Sequence, residues 1–310
     1  MLMKRVFVDG SAGTTGLRIV ERLQCRDDVL LLTLPEEKRK DQEERQEMLN
    51  AADAAFLCLP DAAAAEAAAL VTASHTVVLD TSTAHRTAPG WVYGFPELSA
   101  RHRQAVCGAK RIAVPGCHAS GFIALVYPLV AQGLLPKDAL LTCFSLTGYS
   151  GGGKKMIADY EAPGRPVLYD APRQYGLGQQ HKHLKEMTAV TGLAAEPVFC
   201  PVVANFKCGM EMTVPLFASQ VKGTAADIAA VYAAAYTGPV VTAVTGGDEE
   251  GFLSAAAMAG KDGMTVSVFG NEERILLTAR YDNLGKGASG AALECMNLAF
   301  GWEAAKGLIL

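Results

Sequence analysis

One cysteine of the chain stands where a thiol is expected to be reactive. Residues 111–121, RIAVPGCHASG, combine a short apolar strand pattern, a Pro-Gly turn and an apolar helix pattern that begins near Cys117. A helix N-terminus stabilises a thiolate and lowers the pKa of a cysteine. The sequence therefore predicts that Cys117 is a nucleophile suited to covalent catalysis. We interpret the other cysteines as small core residues: Cys25, Cys58, Cys107, Cys143, Cys200, Cys208 and Cys295.

A thiol nucleophile needs a proton carrier, and two histidines are candidates for that role. His181 and His183 flank one lysine in the segment QHKHL. Imidazole titrates near neutral pH and can act first as a base and then as an acid. A spacing of two residues predicts that the two rings face different ways, so that one of them is structural. The sequence slightly favours His181 as the catalytic one, and we interpret His118 as a packing residue.

A glycine-rich segment near the start suits a dinucleotide. Residues 10–16, GSAGTTG, follow a strand pattern and precede a helix pattern. Glycines let the backbone turn sharply, and a helix N-terminus offers free N–H groups to a pyrophosphate. The spacing G-x-x-G-x-x-G is less common than G-x-G-x-x-G, so a plain tight turn is the alternative. The predicted cofactor-binding residues are Gly10, Ser11, Ala12, Gly13, Thr14, Thr15 and Gly16.

The end of the second predicted strand indicates which dinucleotide is bound. NAD-binding sites usually carry an acidic residue there for the ribose hydroxyl. Here the segment LPEEKRK ends in the basic triplet Lys38, Arg39 and Lys40. A basic triplet suits a 2′-phosphate, so the sequence favours NADP(H). The alternative is a solvated charged loop.

Hydrophobic patterns divide the chain into two predicted domains. Up to residue 116, short apolar strands alternate with helices, which predicts an α/β fold with a Rossmann-type doubly wound parallel sheet. Beyond Leu135 the longer strands predict an α+β substrate and dimerisation domain with a mostly antiparallel sheet. We expect a dinucleotide-binding domain at 1–116, completed by a C-terminal helix at 286–310, and a catalytic domain at 117–285. The predicted strands are 4–9, 29–34, 54–59, 76–80, 112–114, 140–146, 211–217, 264–269 and 274–281.

Composition excludes several classes of function. The net charge of −4 argues against a nucleic-acid partner. No apolar run reaches the roughly 20 residues of a membrane span, so we expect no membrane association. The cysteines form no CxxC pair and no Cys/His spacing that suits zinc. We therefore expect a reduced, cytoplasmic protein without a metal site.

Five segments together resemble a known family. PGCHASG, GSAGTTG, DTSTAHRT (80–87), HKHLKEM (181–187) and DNLGKGASG (282–290) are similar to the N-acetyl-γ-glutamyl-phosphate reductases of arginine biosynthesis. The resemblance is greatest to the shorter class of that family, within the semialdehyde dehydrogenase superfamily, and spans residues 8 to 301. One departure is Ser120, where many relatives carry threonine.

The resemblance implies a reaction and a set of site residues. The Cys117 thiolate would displace phosphate from N-acetyl-γ-glutamyl phosphate, and NADPH would reduce the thioester to the semialdehyde. An anionic acyl-phosphate substrate needs cations and donors, and the block 282–290 would approach the nicotinamide. The family also suggests a homodimer or homotetramer. The implied substrate-binding residues are Ser82, Thr83, Arg86, Ser150, Lys154 and Lys207, and the implied cofactor-binding residues are Asn283 and Gly287.

Other functions remain open at this stage. Within the superfamily, the alternatives are an aspartate-semialdehyde dehydrogenase and an amino-adipyl-phosphate reductase. A different class is a non-catalytic regulator that binds NADP on the same fold. A short-chain dehydrogenase is disfavoured, because no Tyr-x-x-x-Lys pair occurs in the right context.

Overall fold

The computed structural model describes residues 3–310, which form two compact units. The first unit contains the chain up to Pro96, residues 100–116 and residues 288–308. The second contains residues 97–99, 117–287 and 309–310. Each unit is built around its own β-sheet.

The first unit contains a six-stranded sheet in which every pair of neighbouring strands is parallel. Two of its strands are buried along their whole length, as expected for a parallel sheet that is covered on both faces. The strands are β1 (Lys4–Asp9), β2 (Val29–Leu32), β3 (Ala54–Leu57), β4 (Val77–Asp80), β5 (Val92–Tyr93) and β6 (Arg111–Ala113), in the order β2-β1-β3-β4-β6-β5.

Helices cover both faces of this sheet. Val6 and Val8 of β1 pack in one hydrophobic cluster with Ile19, whereas Phe7 packs in another with Leu49 and Ala64. Side chains of a strand alternate between faces, so the two clusters lie on opposite sides of the sheet. The predicted doubly wound fold is confirmed. The helices are α1 (Thr14–Gln24), α2 (Gln42–Ala51), α3 (Asp61–Leu70) and α4 (Ala100–Gly108).

The second unit contains a seven-stranded mixed sheet. Its helices are α5 (Cys117–Ala131), α6 (Gly153–Glu161), α7 (Leu184–Thr191) and α8 (Ala225–Ala235), while α9 (Gly290–Ala299) belongs to the first unit. Its strands are β7 (Thr142–Gly148), β8 (Arg173–Gln174), β9 (Val198–Ala204), β10 (Met210–Phe217), β11 (Val241–Ala243), β12 (Met264–Gly270) and β13 (Arg274–Tyr281). The order is β11-β12-β13-β10-β7-β9-β8. Only β11–β12 and β7–β9 are parallel among these pairs, so the prediction of a mostly antiparallel sheet is confirmed.

Some elements have no clear signal in the sequence. β9 contains Pro201, a residue that is uncommon within strands, and its segment was not among the predicted strands. α2 is highly charged and buries only Leu49. Its start is fixed by Asp41, whose carboxylate accepts the backbone N–H groups of Glu43 and Glu44 at 2.9 and 3.1 Å. The predicted strands at 29–34 and 54–59 each extend two residues beyond the observed strand.

Within residues 3–310, none of the helices combines the length and the apolar character that crossing a lipid bilayer requires.

A charged cluster holds the end of the chain against the first unit. Arg26 pairs with Asp28 at 2.8 Å and donates to Asn297 of α9 at 2.7 Å. The guanidinium of Arg26 lies 4.7 Å from the ring centroid of Trp302, and Lys306 pairs with Asp28 at 2.6 Å. The hydrogen bond from Arg26, helped by Lys306, holds the pKa of Asp28 well below its usual range.

We expect Asp28→Asn to lower the free energy of unfolding by about 2 kcal/mol at pH 7, because the Arg26 and Asp28 side chains are only 5% and 16% exposed and the change leaves Arg26 without its carboxylate. A lowered carboxyl pKa contributes stability above the unfolded-state pKa of about 3.9, and that contribution is lost as pH falls below it. Urea titrations at pH 7 and at acid pH should therefore show the difference from wild type narrowing below about pH 4. The control is Glu66→Gln on the exposed face of α3. An equal effect of the two variants would contradict the role of the Asp28 cluster.

Candidate active site

Cys117 is the first residue of α5 and is partly exposed, as its sequence context predicts. Its backbone carbonyl accepts a hydrogen bond from the Tyr281 hydroxyl at 2.7 Å. The same hydroxyl accepts the backbone N–H of Gly121 at 3.2 Å. A Cβ added to Gly287 would lie only 3.0 Å from the Cβ of Cys117. The nucleophile candidate is therefore held between the first turn of its helix and the segment 281–287.

The block that begins at Asp282 is fixed by buried polar groups. The Asp282 carboxylate accepts backbone N–H groups of Leu284 at 2.7 Å and of Gly285 at 3.2 Å. Lys286 is buried and its ammonium lies 2.6 Å from the Glu97 carboxylate. Residues 285–289 form a π-helix, a conformation that is frequent at functional sites.

Two of the predicted site residues contact each other. The Asn283 amide donates to the Ser150 hydroxyl at 3.0 Å and accepts the Gly209 N–H at 3.0 Å. The Ser150 N–H donates to the Lys207 carbonyl at 2.9 Å. The segments carrying three predicted site residues thus converge within the second unit. Their assigned roles stay predictions.

The imidazoles of His181 and His183 lie close together, with ring centroids 4.7 Å apart. Both rings pack against His118, at 5.5 and 5.6 Å between centroids. The expectation that the two rings face different ways was wrong. The relative direction of side chains two residues apart depends on the local backbone conformation. Here the backbone forms a turn, in which the Leu184 N–H donates to the His181 carbonyl at 3.0 Å.

The environments of the two histidines differ. His183 is buried, whereas His181 is partly exposed. The backbone N–H of His183 donates to Nδ1 of His181 at 3.2 Å. In this geometry a neutral His181 carries its proton on Nε2, which makes that atom a hydrogen-bond donor.

His118 lies at the centre of a hydrogen-bonded group. Its Nδ1 lies 2.7 Å from the Ser145 hydroxyl and its Nε2 lies 2.6 Å from the Tyr175 hydroxyl. Burial, with a smaller effect of His181, lowers the pKa of His118 to about 3, so the ring is neutral at physiological pH. Burial raises the pKa of Tyr175, and the charge of Cys117 raises it further. The Tyr175 hydroxyl therefore interacts electrostatically with the Cys117 side chain. Tyr175 is not among the predicted site residues, because a single tyrosine in a loop belongs to no recognisable sequence pattern.

Three of the residues predicted to bind the substrate, Ser82, Thr83 and Arg86, are in the first unit, where they form hydrogen bonds with neighbouring residues. The Ser82 hydroxyl donates to Asp80 at 2.8 Å, and the Thr83 hydroxyl donates to Asp61. Arg86 donates to the carbonyls of Val114 and Thr81, each at 3.0 Å. These bonds brace the loop after β4. The proposed contacts of these residues with substrate stay predictions.

The two predicted lysine ligands are exposed. Lys154 lies in the first turn of α6. Lys207 forms an ion pair with Glu161 at 3.6 Å, with side chains 66% and 47% exposed. An ion pair with this exposure contributes little to stability.

The glycine-rich turn contains two glycines that the fold itself requires. A Cβ on Gly10, whose φ is +82°, would lie 2.2 Å from the Cys58 carbonyl oxygen. A Cβ on Gly16 would lie 2.4 Å from the Gly10 carbonyl oxygen. Gly13 is different, because its nearest neighbour would be the Gly10 oxygen at 3.3 Å.

This turn has the features of an anion site. Gly13 is the N-cap of α1 and has no side chain with which to cap the helix. The hydroxyl of Thr14 is buried, and within residues 3–310 it has no hydrogen-bond partner. Free N–H groups at a helix start and an unused donor suit a pyrophosphate. The residues present therefore fit the dinucleotide that the sequence predicts. α1 also begins at Thr14, three residues before the predicted helix start.

The basic triplet follows β2 but does not lie in a long loop. Lys38 ends a 3₁₀ turn and its ammonium pairs with Glu44 of α2, which raises the pKa of Lys38. Arg39 and Lys40 are exposed. Arg45 of α2, which the sequence analysis did not identify, pairs with Asp9 at the end of β1 at 2.7 Å.

Comparison with known proteins first defines the class. Residues 5–106 match the family model of the semialdehyde dehydrogenase NAD binding domain, and residues 117–283 match that of the semialdehyde dehydrogenase dimerisation domain. The fold is similar to that of aspartate semialdehyde dehydrogenase II from Vibrio cholerae, with a TM-score of 0.75 at 16% identity, covering 97% of this chain and 99% of that one. It is also similar to an aspartate semialdehyde dehydrogenase from Candida albicans, with a TM-score of 0.62 at 14% identity, covering 96% and 98%. The fold and its two domains define a dehydrogenase with a nicotinamide-dinucleotide domain.

Relatives of higher identity define the family within this class. The N-acetyl-gamma-glutamyl-phosphate reductase 2 of Nostoc sp. is 43% identical over 98% of this chain and 99% of its own length. The N-acetyl-gamma-glutamyl-phosphate reductase of Brucella ovis is 44% identical over 96% and 99%. The chain belongs to the N-acetyl-γ-glutamyl-phosphate reductase family. The resemblance seen in the sequence motifs is confirmed.

We expect Gly13→Ala and Gly10→Ala to separate ligand binding from folding. Gly13→Ala should lower the melting temperature much less than Gly10→Ala and weaken dinucleotide binding, because its Cβ meets the Gly10 oxygen at 3.3 Å, rather than backbone at 2.2 Å, but occupies the space a pyrophosphate needs. Gly10→Ala should lower the free energy of unfolding by more than about 2 kcal/mol, because a Cβ there meets backbone at positive φ. Thermal denaturation and fluorescence titration with NADPH measure the two effects. Full affinity in Gly13→Ala would place the pyrophosphate elsewhere.

Proposed function

We propose that the protein reduces N-acetyl-γ-glutamyl phosphate to N-acetylglutamate 5-semialdehyde and phosphate, with NADPH as reductant, in arginine biosynthesis. The observation that carries the proposal is the position of Cys117 at the start of α5, in the unit that also gathers the imidazoles of 181–183. Membership of the reductase family supports the identity of the substrate.

The first step forms a thioester on Cys117. The thiolate attacks the acyl carbon, the bond from that carbon to the phosphate oxygen breaks, and phosphate leaves with the electron pair. Backbone N–H groups in the first turn of α5 favour the thiolate over the thiol. Gly287 keeps side-chain atoms away from the Cys117 Cβ. The start of α5 therefore favours the charged form of the sulfur, and Gly287 leaves space beside the Cys117 Cβ.

The second step reduces the thioester. The dinucleotide supplies a hydride when it is bound. The acyl oxygen then gains negative charge, and we assign the Nε2–H of His181 as a donor to it, because Nδ1 already accepts the His183 N–H. The carbon–sulfur bond then breaks to release the aldehyde and the Cys117 thiolate. Buried His183 supports the orientation of His181 rather than exchanging protons itself.

The substrate anions need positive partners, and we propose Arg86, Lys154 and Lys207 for that role. Lys154 is exposed at the start of α6, and the backbone of Lys207 adjoins Ser150. Ser82 and Thr83 donate their hydroxyl hydrogens to carboxylates, so we propose that they shape the loop around the substrate and accept a hydrogen bond from its acetamido N–H rather than bind its anionic oxygens. Asn283 and Gly287 are proposed to face the nicotinamide.

We also propose an assembly through the second unit's sheet. Phe144, Phe217 and Leu276 are exposed, at 48%, 63% and 40%, and the strand registers place them on one face. An apolar sheet face of this kind is typical of a subunit interface. This supports a homodimer or homotetramer. The cytosolic location stays a prediction.

NADP(H) is the proposed dinucleotide because Arg39 and Lys40 are exposed after β2, whereas Lys38 is paired with Glu44. We expect Arg39→Ala to lower the ratio of kcat/KM for NADPH to that for NADH by about tenfold, since a guanidinium can bind a phosphate with two hydrogen bonds. The control is Lys38→Ala, which should change the ratio less. Steady-state kinetics with both cofactors measure the ratio, and an unchanged ratio in Arg39→Ala would refute the assignment.

We expect a covalent adduct when the enzyme meets its substrate without NADPH. Mass spectrometry should find the N-acetylglutamyl group on the peptide that contains Cys117, with one phosphate released per adduct. Cys117→Ser should show neither the adduct nor turnover, whereas Cys208→Ser should keep both. An adduct with aspartyl phosphate in place of the N-acetylated substrate would favour the aspartate-semialdehyde alternative. Turnover by Cys117→Ser would exclude the thioester route.

A further inference from the structure

We propose that Tyr281 is a positioning residue for the nucleophile, because its hydroxyl bridges the two ends of the first turn of α5 and so sets the direction and reactivity of the Cys117 thiol. This inference rests on the proposed function of Cys117. No motif identified in the sequence includes Tyr281, and the family comparisons assign it no role.

The contacts of the hydroxyl are specific to this turn. Tyr281 ends β13, and its side chain is completely buried. Its hydroxyl donates to the Cys117 carbonyl at 2.7 Å and accepts the Gly121 N–H at 3.2 Å. Residues 117 and 121 are the pair that an α-helix joins in its first turn. One side-chain oxygen therefore binds both ends of the turn that carries the thiol.

The helix can approach the tyrosine this closely only because residue 121 is glycine. A Cβ on Gly121 would lie 2.5 Å from the Tyr281 oxygen and 2.8 Å from the Met212 Cβ. The absence of a side chain at residue 121 therefore leaves space for the hydroxyl between the strand and the helix. Its two hydrogen bonds are therefore built into the packing of α5 on the sheet.

The segment 281–287 also lies against the side chain of Cys117. Asp282, the next residue, anchors the turn at Leu284 and Gly285 with its carboxylate. The turn brings Gly287 to within 3.0 Å of the Cys117 Cβ, measured from the position of an added Cβ. Residues 281 and 287 thus constrain the carbonyl and the Cβ of Cys117, and with them the direction of the Cα–Cβ bond that carries the sulfur.

The electrostatics favour positioning over proton transfer. Burial raises the pKa of Tyr281 well above its ordinary value, and the Cys117 charge raises it further. The hydroxyl therefore keeps its proton, which it donates to the Cys117 carbonyl. Without the hydroxyl, the turn loses its bridge and the N–H groups of the helix start are held less firmly around the thiolate. A less ordered helix start stabilises the thiolate less.

Tyr281→Phe removes the hydroxyl and keeps the ring. The chain offers a matched control in Tyr232, which is equally buried and donates its hydroxyl to the Leu125 carbonyl of the same helix at 2.6 Å. Tyr232→Phe loses one buried hydrogen bond to α5 away from its first turn. Both variants should therefore lower stability, Tyr281→Phe by more because it loses two hydrogen bonds rather than one, and only Tyr281→Phe should affect Cys117.

Two readouts separate positioning from general destabilisation. The first is the pH dependence of iodoacetamide alkylation at Cys117, followed by peptide mass spectrometry. The second is steady-state kinetics with the acyl phosphate and NADPH. We expect Tyr281→Phe to shift the alkylation midpoint upward by about one pH unit and to lower kcat about tenfold with little change in KM. Tyr232→Phe should match wild type within about twofold in kcat, although its melting temperature also falls.

Gly121→Ala tests the same contact from the other side, since its Cβ displaces the hydroxyl. It should change alkylation in the same direction as Tyr281→Phe. Identical alkylation profiles and kcat values in Tyr281→Phe and Tyr232→Phe would overturn the proposal. Failure of the proposed function gives a different result, because alkylated wild-type enzyme would then keep its turnover whatever the effect of Tyr281.

Discussion

The reactive centre depends on one constraint, which is the fixed backbone of Cys117 at the first turn of α5. The Tyr281 hydroxyl holds its carbonyl, and Gly287 lies against its Cβ. Both come from the segment that leaves β13, a central strand of the seven-stranded sheet. The mixed sheet of the second unit therefore has a further role besides the proposed interface. It ends a strand beside the helix that presents the thiol.

The imidazoles of His118, His181 and His183 differ in burial, and we propose different roles for them on that basis. His118 is buried, has two hydrogen-bond partners and is neutral because desolvation lowers its pKa. A neutral ring can pack against His181 and His183 without the repulsion that a cation would cause. Partly exposed His181 is then the ring whose Nε2 can meet a substrate. The cluster is consistent with one functional imidazole supported by two structural ones.

In the first unit, some residues of the glycine-rich turn are required by the fold, whereas others are proposed to bind the ligand. Gly10 and Gly16 are required by backbone packing, since a Cβ on either would meet backbone oxygen at 2.2 to 2.4 Å. Gly13 and the Thr14 hydroxyl are proposed to serve the cofactor. A motif match alone treats the three glycines as equivalent, whereas their packing differs. The carboxylate of Asp9 at the end of β1 pairs with Arg45, whereas Arg39 and Lys40 are exposed.

Features that depend on neighbouring residues could be predicted from the sequence. These include the helix start at Cys117 and the turn at Gly10–Gly16. Tertiary structure decided the rest, including the convergence of His181 with His183 and the place of Tyr281 beside a residue 164 positions away. Local propensity and hydrophobic period act over a few residues. A contact between a strand end and a distant helix depends on sheet order and packing, which no short segment encodes.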